Sequence, residues 1–135
     1  MRNWTGPFLT LSLLATGADA HHSLSNYDQG RNVGVDGVVE EFHFTNPHPY
    51  LMIGVTAPSG VRQIWRLEMD NLHELNEVGI SKTTFKPGDQ VTVSGWPDRT
   101  EPTEIYLRRL DRPSDGLRYE QIGVRPRLTR TGGPS

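Results

Sequence analysis

Three observations predict an all-β fold. Short segments of alternating apolar residues recur along the chain, one helical stripe lies between the third and fourth of them, and the first is unusually long, with an apolar face that switches midway. Together they specify a small OB-fold-like five-stranded barrel with one short helix between strands 3 and 4. A five-stranded sandwich and an SH3-like barrel are the competing arrangements.

The first strand is read over residues 33–44. Val33, Val35 and Val39 share one parity, while Val38, Phe42 and Phe44 share the other. A single strand does this if it bends near Gly37 and Glu40-Glu41 and serves two parts of a sheet in turn. It stops at Asn46-Pro47-His48-Pro49, where the two prolines hold Asn46 and His48 in an extended, non-helical corner. Leu51, Ile53 and Val55 then alternate as a second strand, and Pro58-Ser59-Gly60 turns it into a third. There Val61, Trp65, Leu67 and Met69 take one side, with Arg62, Arg66 and Glu68 on the other.

Over residues 70–79 the period changes. Leu72, Leu75 and Val78 form a helical stripe, Asn71 with Glu74 resembles a capping box, and Gly79 suits the left-handed position that ends a helix. Lys86-Pro87-Gly88-Asp89 turns into a fourth strand over 91–96, and residues 104–110 supply a fifth. From Asp111 onward the chain is dotted with arginine, proline and glycine and has no periodic apolar face, so residues 111–135 are expected to form a flexible tail.

At 135 residues the chain is one domain by length. A formal charge of −2 excludes the basic face of a phosphate-tracking protein, and it stays −2 without residues 1–20 because Arg2 and Asp19 leave together. The absence of cysteine excludes a disulfide framework, a thiolate metal site, a cysteine nucleophile and a lipidated cysteine.

Residues 1–20 carry Arg2 in a polar start, an apolar run over 8–15, and Ala18-Asp19-Ala20. This is the layout of a secretory signal peptide with an A-x-A cleavage site, and the run is too short to span a bilayer. The expected organisation is therefore a signal over 1–20, an N-terminal arm over 21–32, the barrel over 33–110 and the tail. The expected compartment is the periplasm or the exterior, with no stable membrane insertion after processing and no nucleic-acid partner.

His21-His22-Ser23, Thr45-Asn46-Pro47-His48, the Trp65-x-Leu67-Glu68 segment and the Lys86-Pro87-Gly88-Asp89 turn together resemble a family of small exported bacterial domains of unknown function. That family is marked by His-His-Ser just after the signal and by Asn-Pro-His further on. The resemblance covers roughly residues 21–110. It implies export and domain identity and names no reaction; His73 and the arginine-rich tail lie outside the family pattern.

The residues themselves point to copper. If cleavage follows Ala20, His21 offers its α-amine and its imidazole to one metal, with His22 beside it and His48 as a further ligand. An α-amine pKa of about 7.7–8.0 and an imidazole pKa near ~6.5 let a metal displace both protons at little cost near neutral pH. If cleavage follows Ala18 instead, Asp19-Ala20-His21 is itself a square-planar copper or nickel site. Glu68 and His43 are the weaker candidate ligands: Glu68 as an oxygen donor or the partner of Arg66, His43 as a half-exposed strand residue.

Against this, a terminal His-His is often merely solvated, and Asn-Pro-His serves equally as a plain turn. No catalytic residues are assigned. Glu40 and Glu41 point to opposite faces, and Ser23 near His22 lacks an orienting acid. The expected partner is a metal ion. The alternatives are a metal-free adaptor that meets another envelope protein or a ligand, and a copper-dependent oxidative enzyme.

Overall fold

The computed structural model describes residues 24–132. Seven strands form one sheet: β1 (Val33–His43), β2 (Tyr50–Thr56), β3 (Arg62–Glu68), β4 (Gln90–Pro97), β5 (Glu104–Arg112), β6 (Leu117–Ile122) and β7 (Arg125–Arg130), in the order β3-β2-β1-β4-β5-β6-β7. A parallel pairing between β3 and β5 closes the first five into a barrel, and all the other strand pairs are antiparallel. The single α-helix, α1 (Leu72–Glu77), lies between β3 and β4. The OB-type architecture expected from the sequence is thus the architecture of the chain.

The change of parity in β1 is a bulge. Register shifts between Val39 and Glu41, so that β1 pairs with β4 up to Val38 and with β2 from Val38 onward. Before the bulge Val33, Val35 and Val39 face inward; after it Phe42 does, and Val38 is left 40 % exposed. Gly37 sits inside this bend for want of space: a Cβ there would meet Ile53 Cδ1 at 2.8 Å and the Gly54 carbonyl at 2.9 Å.

The helix starts where its cap predicts. Asn71 accepts a hydrogen bond from the Glu74 amide at 3.0 Å, and Gly79 follows the last turn with φ +90°. Leu75, Ile80 and Phe85 are buried against Leu51, Ile53, Trp65, Leu67, Val91, Ile105 and Leu107 in one core.

Residues 117–130 correct the expectation of a tail. They form the β6–β7 hairpin, which extends the sheet from the outer end of β5, with Leu117, Tyr119 and Gln121 buried in alternation. The signal was weak because the buried set is mixed. Tyr119 donates to Gln121 Oε1 at 3.0 Å, and Gln121 donates to Asp70 Oδ2 at 2.7 Å, so a polar residue occupies what a hydrophobicity pattern needs to be apolar. Arg112 ties the base of the hairpin. It donates to both oxygens of Asp115 at 2.9 Å, to Asp89 Oδ2 at 2.6 Å and to the Thr84 carbonyl at 2.6 Å.

Two outcomes follow. Leu117→Ala is expected to cost about 2–5 kcal/mol of unfolding free energy in urea, whereas Val124→Ala at the exposed tip of the same hairpin stays within about 0.5 kcal/mol. The Arg112 hydrogen bonds hold the Asp115 carboxyl below its ordinary range. A depressed folded-state pKa adds stability above the unfolded value of about 3.9, which is lost as pH falls through the folded one. The stability gap between the wild type and Asp115→Asn should therefore be full at neutral pH and close below about pH 4.

Candidate metal centre

The Asn-Pro-His-Pro corner is fastened to the end of β3. Its prolines limit the backbone, Pro49 is buried, and the Pro49 carbonyl accepts from the Met69 amide at 2.9 Å. Tyr50 pairs with Glu68 in the β2–β3 register, so His48, two residues before Tyr50, arrives beside Glu68. Both line a cleft of about 350 Å³ together with Asn26, Thr45, Tyr50 and Arg66. Among the described residues, His48 Nδ1 and Glu68 Oε1 are buried side-chain atoms with no hydrogen-bond partner.

Glu68 is 8 % exposed because the N-terminal arm covers it. The arm is laid along the end of β4: Asp28 donates its amide to the Pro97 carbonyl, and Arg99 donates to the Asn26 carbonyl, each at 2.9 Å. This buries Tyr27, whose hydroxyl lies 2.9 Å from both Glu68 Oε2 and Glu104 Oε1. Burial, reinforced by the negative charge of Glu68 and the hydrogen bond to Glu104, pushes the phenol far above its ordinary pKa, so it is a neutral donor.

Arg66 completes the cluster through Glu104 Oε1 and, at 3.4 Å, Glu68 Oε2. Burial works against its charge, but Glu104 and Glu68 outweigh burial and raise its pKa. With two carboxylates, one guanidinium and a neutral phenol, the cluster carries an excess negative charge. The hydrogen bonds and ion pairs of Glu68 all engage Oε2, and Oε1 is buried without a partner.

A family model for a "Family of unknown function (DUF6152)" matches residues 10–105, more than half of the chain. The chain belongs to that family. This agrees with the resemblance drawn from the sequence as far as an uncharacterised family goes. No curated protein matches the chain. The family match takes in His48, Glu68 and Glu104 and leaves out β6 and β7.

The other candidates fall in different places. His43 stacks on the Tyr50 ring with centroids 4.4 Å apart, contacts Glu41, and is not among the residues that line the cleft. His73 is exposed on α1 and pairs with Glu77 at 3.3 Å. His21, His22 and the expected signal lie outside the described residues, among which no group of three or more metal-ligating side chains occurs and no helix is long and apolar enough to cross a membrane.

Sequence reasoning missed Tyr27 and Glu104. Tyr27 lies in an arm without periodicity, and Glu104 reaches Arg66 only through the closing strand pair. Removing the phenol hydroxyl leaves two carboxylates to share Arg66. Tyr27→Phe should therefore lower stability by about 1–3 kcal/mol in urea unfolding at neutral pH, although the ring stays packed on Tyr106.

Proposed function

We propose that this chain is a periplasmic or secreted domain that binds copper through His48 and the histidines of its mature N-terminus, His21 and His22, and acts in metal handling. The observation that carries the reading is the pair of buried, unpartnered donors, His48 Nδ1 and Glu68 Oε1, in one cleft bordered by the N-terminal arm. Buried polar atoms are nearly always partnered, so two free ones in the same cleft fit a ligand that bonds to both. A neutral imidazole nitrogen and a carboxylate oxygen both suit a divalent transition metal.

Reach supports the arm as the source of the remaining ligands. Asn26 lines the cleft, and His22 precedes it by four residues, of which Leu24–Asn26 form a 3-10 turn, so the chain between them is shorter than the about 14 Å an extended stretch would span. An imidazole with or without the α-amine would complete a nitrogen-rich set that copper(II), at the top of the divalent affinity order, prefers. The bound metal would supply a redox-capable Lewis acid; the protein's part is to hold two donors on a proline-braced corner and a strand end.

One observation favours a second reading, a metal-free binding module of the envelope. Val38, Gly54 and Ile64 are register partners across β1, β2 and β3, and the two large residues are 40 % and 41 % exposed. The Glu40–Arg62 ion pair lies over Gly54 between them, and this mixed face of exposed apolar side chains around a charge pair suits a partner or a small ligand.

Copper(II) titration of the exported chain, with its first residue established by mass spectrometry, separates the two. One-to-one binding that weakens at least about tenfold in His48→Ala, with the unfolding transition preserved, is the expected result. Affinity that is the same in His48→Ala would reduce the metal to a terminal chelate and leave the module reading.

A further inference from the structure

Resting on the copper reading, we infer that Glu68 is the anionic ligand of the site and that it selects the oxidised ion, copper(II), over copper(I). The argument begins with how the carboxylate is held. Its Oε2 lies 2.9 Å from the Tyr27 hydroxyl, whose one proton it shares with Glu104 Oε1, and accepts from Arg66 at 3.4 Å, so the group is held through Oε2 while Oε1 has no partner. A carboxylate pinned through one oxygen by a neighbouring donor is how proteins orient an oxygen ligand. Tyr27 and Arg66 are the positioning residues here.

Charge argues the same way. Glu68 and Glu104 share one guanidinium, so the cluster is one negative charge in excess, with Glu68 buried under the arm and Arg66 and Glu104 partly exposed. A doubly charged ion gains twice what a singly charged ion gains from that excess at the same distance. Donor softness also points to the oxidised state. Copper(I) is selected by thiolate and thioether sulfur, and the residues lining the cleft include none. The chain has no cysteine, Met69 is fully buried in the core, and Met52, opposite Arg66 in the β2–β3 register, is not among the residues that line the cleft.

The composition of the site therefore differs from an all-histidine terminal chelate. Within the cleft nitrogen comes from His48, and oxygen comes from a strand end. His43 is not required, since it is occupied by Tyr50 and Glu41.

The test compares copper(II) and copper(I) affinities by chelator competition, the latter anaerobically with reductant, for the exported wild type, Glu68→Gln and His48→Ala. The expected result is a loss of roughly 10–100-fold in copper(II) affinity in Glu68→Gln with copper(I) affinity unchanged. If His48→Ala weakens copper(II) and Glu68→Gln does not, the inference fails and the copper reading stands. If neither substitution matters, both fail. An equal loss for the two oxidation states in Glu68→Gln also overturns the inference, because it marks a structural role. Infrared spectra of wild-type protein labelled with 13C-glutamate give a readout independent of the variants: a carboxylate stretch should shift on adding copper(II), and its constancy would sink the assignment.

Discussion

The barrel is closed by a short seam. Arg66, Leu67 and Glu68 of β3 lie opposite Glu104, Ile105 and Tyr106 of β5 in the parallel pairing that closes the ring. The middle pair, Leu67 and Ile105, is fully buried, and burying side chains of this size stabilises by about 1.5–3 kcal/mol each. The flanking Arg66–Glu104 ion pair is partly exposed and belongs to the class that contributes about 0–1 kcal/mol. Apolar burial therefore decides that the ring closes. The charged residues on either side of it are free to serve chemistry instead.

That division explains how the candidate site is assembled. Closure brings Glu104 to Arg66, the arm lays Tyr27 over the seam, and Glu68 is thereby buried with one oxygen committed. From the other direction the proline corner delivers His48, fastened by the Met69–Pro49 hydrogen bond to the residue after Glu68. Corners between strands are ordinarily the mobile parts of a barrel. This one has two prolines and a backbone bond to the end of β3, which limits what a ligand would have to order.

Much of this was legible beforehand. The bulge, the helix cap and the order of elements each follow from local chemistry: a parity switch at Glu40-Glu41, Asn71 three residues before Glu74, and the turn at Pro58-Ser59-Gly60. The meeting of His48 and Glu68 was in principle readable too, because a hairpin centred on Ser59 sets Tyr50 opposite Glu68. Three things were not legible, each for its own reason. The β6–β7 hairpin buries Gln121 and Arg112 beside Leu117 and Tyr119, so hydrophobic periodicity underestimates it. Tyr27 is buried by a docked arm with no pattern of its own. Glu104 depends on a pairing between strands separated by the helix and β4, and a non-local contact of that kind leaves no mark in spacing.

Two of the charged clusters among the described residues make the case for the site by contrast. Around Arg112, two carboxylates meet two guanidiniums, because Arg130 also binds Asp115 at 2.8 Å. Both oxygens of Asp115 are engaged and the charges cancel around the buried guanidinium of Arg112, which is what a structural fastening requires. Around Arg66, two carboxylates meet one guanidinium, and Glu68 Oε1 and the neighbouring His48 Nδ1 have no partner. A cluster that served only to hold β3 to β5 would be cheaper with one carboxylate fewer, since a second one adds repulsion and an unmet acceptor. The imbalance sits where the arm, the proline corner and the barrel seam converge, and a bound cation, as proposed above, would relieve both of its costs.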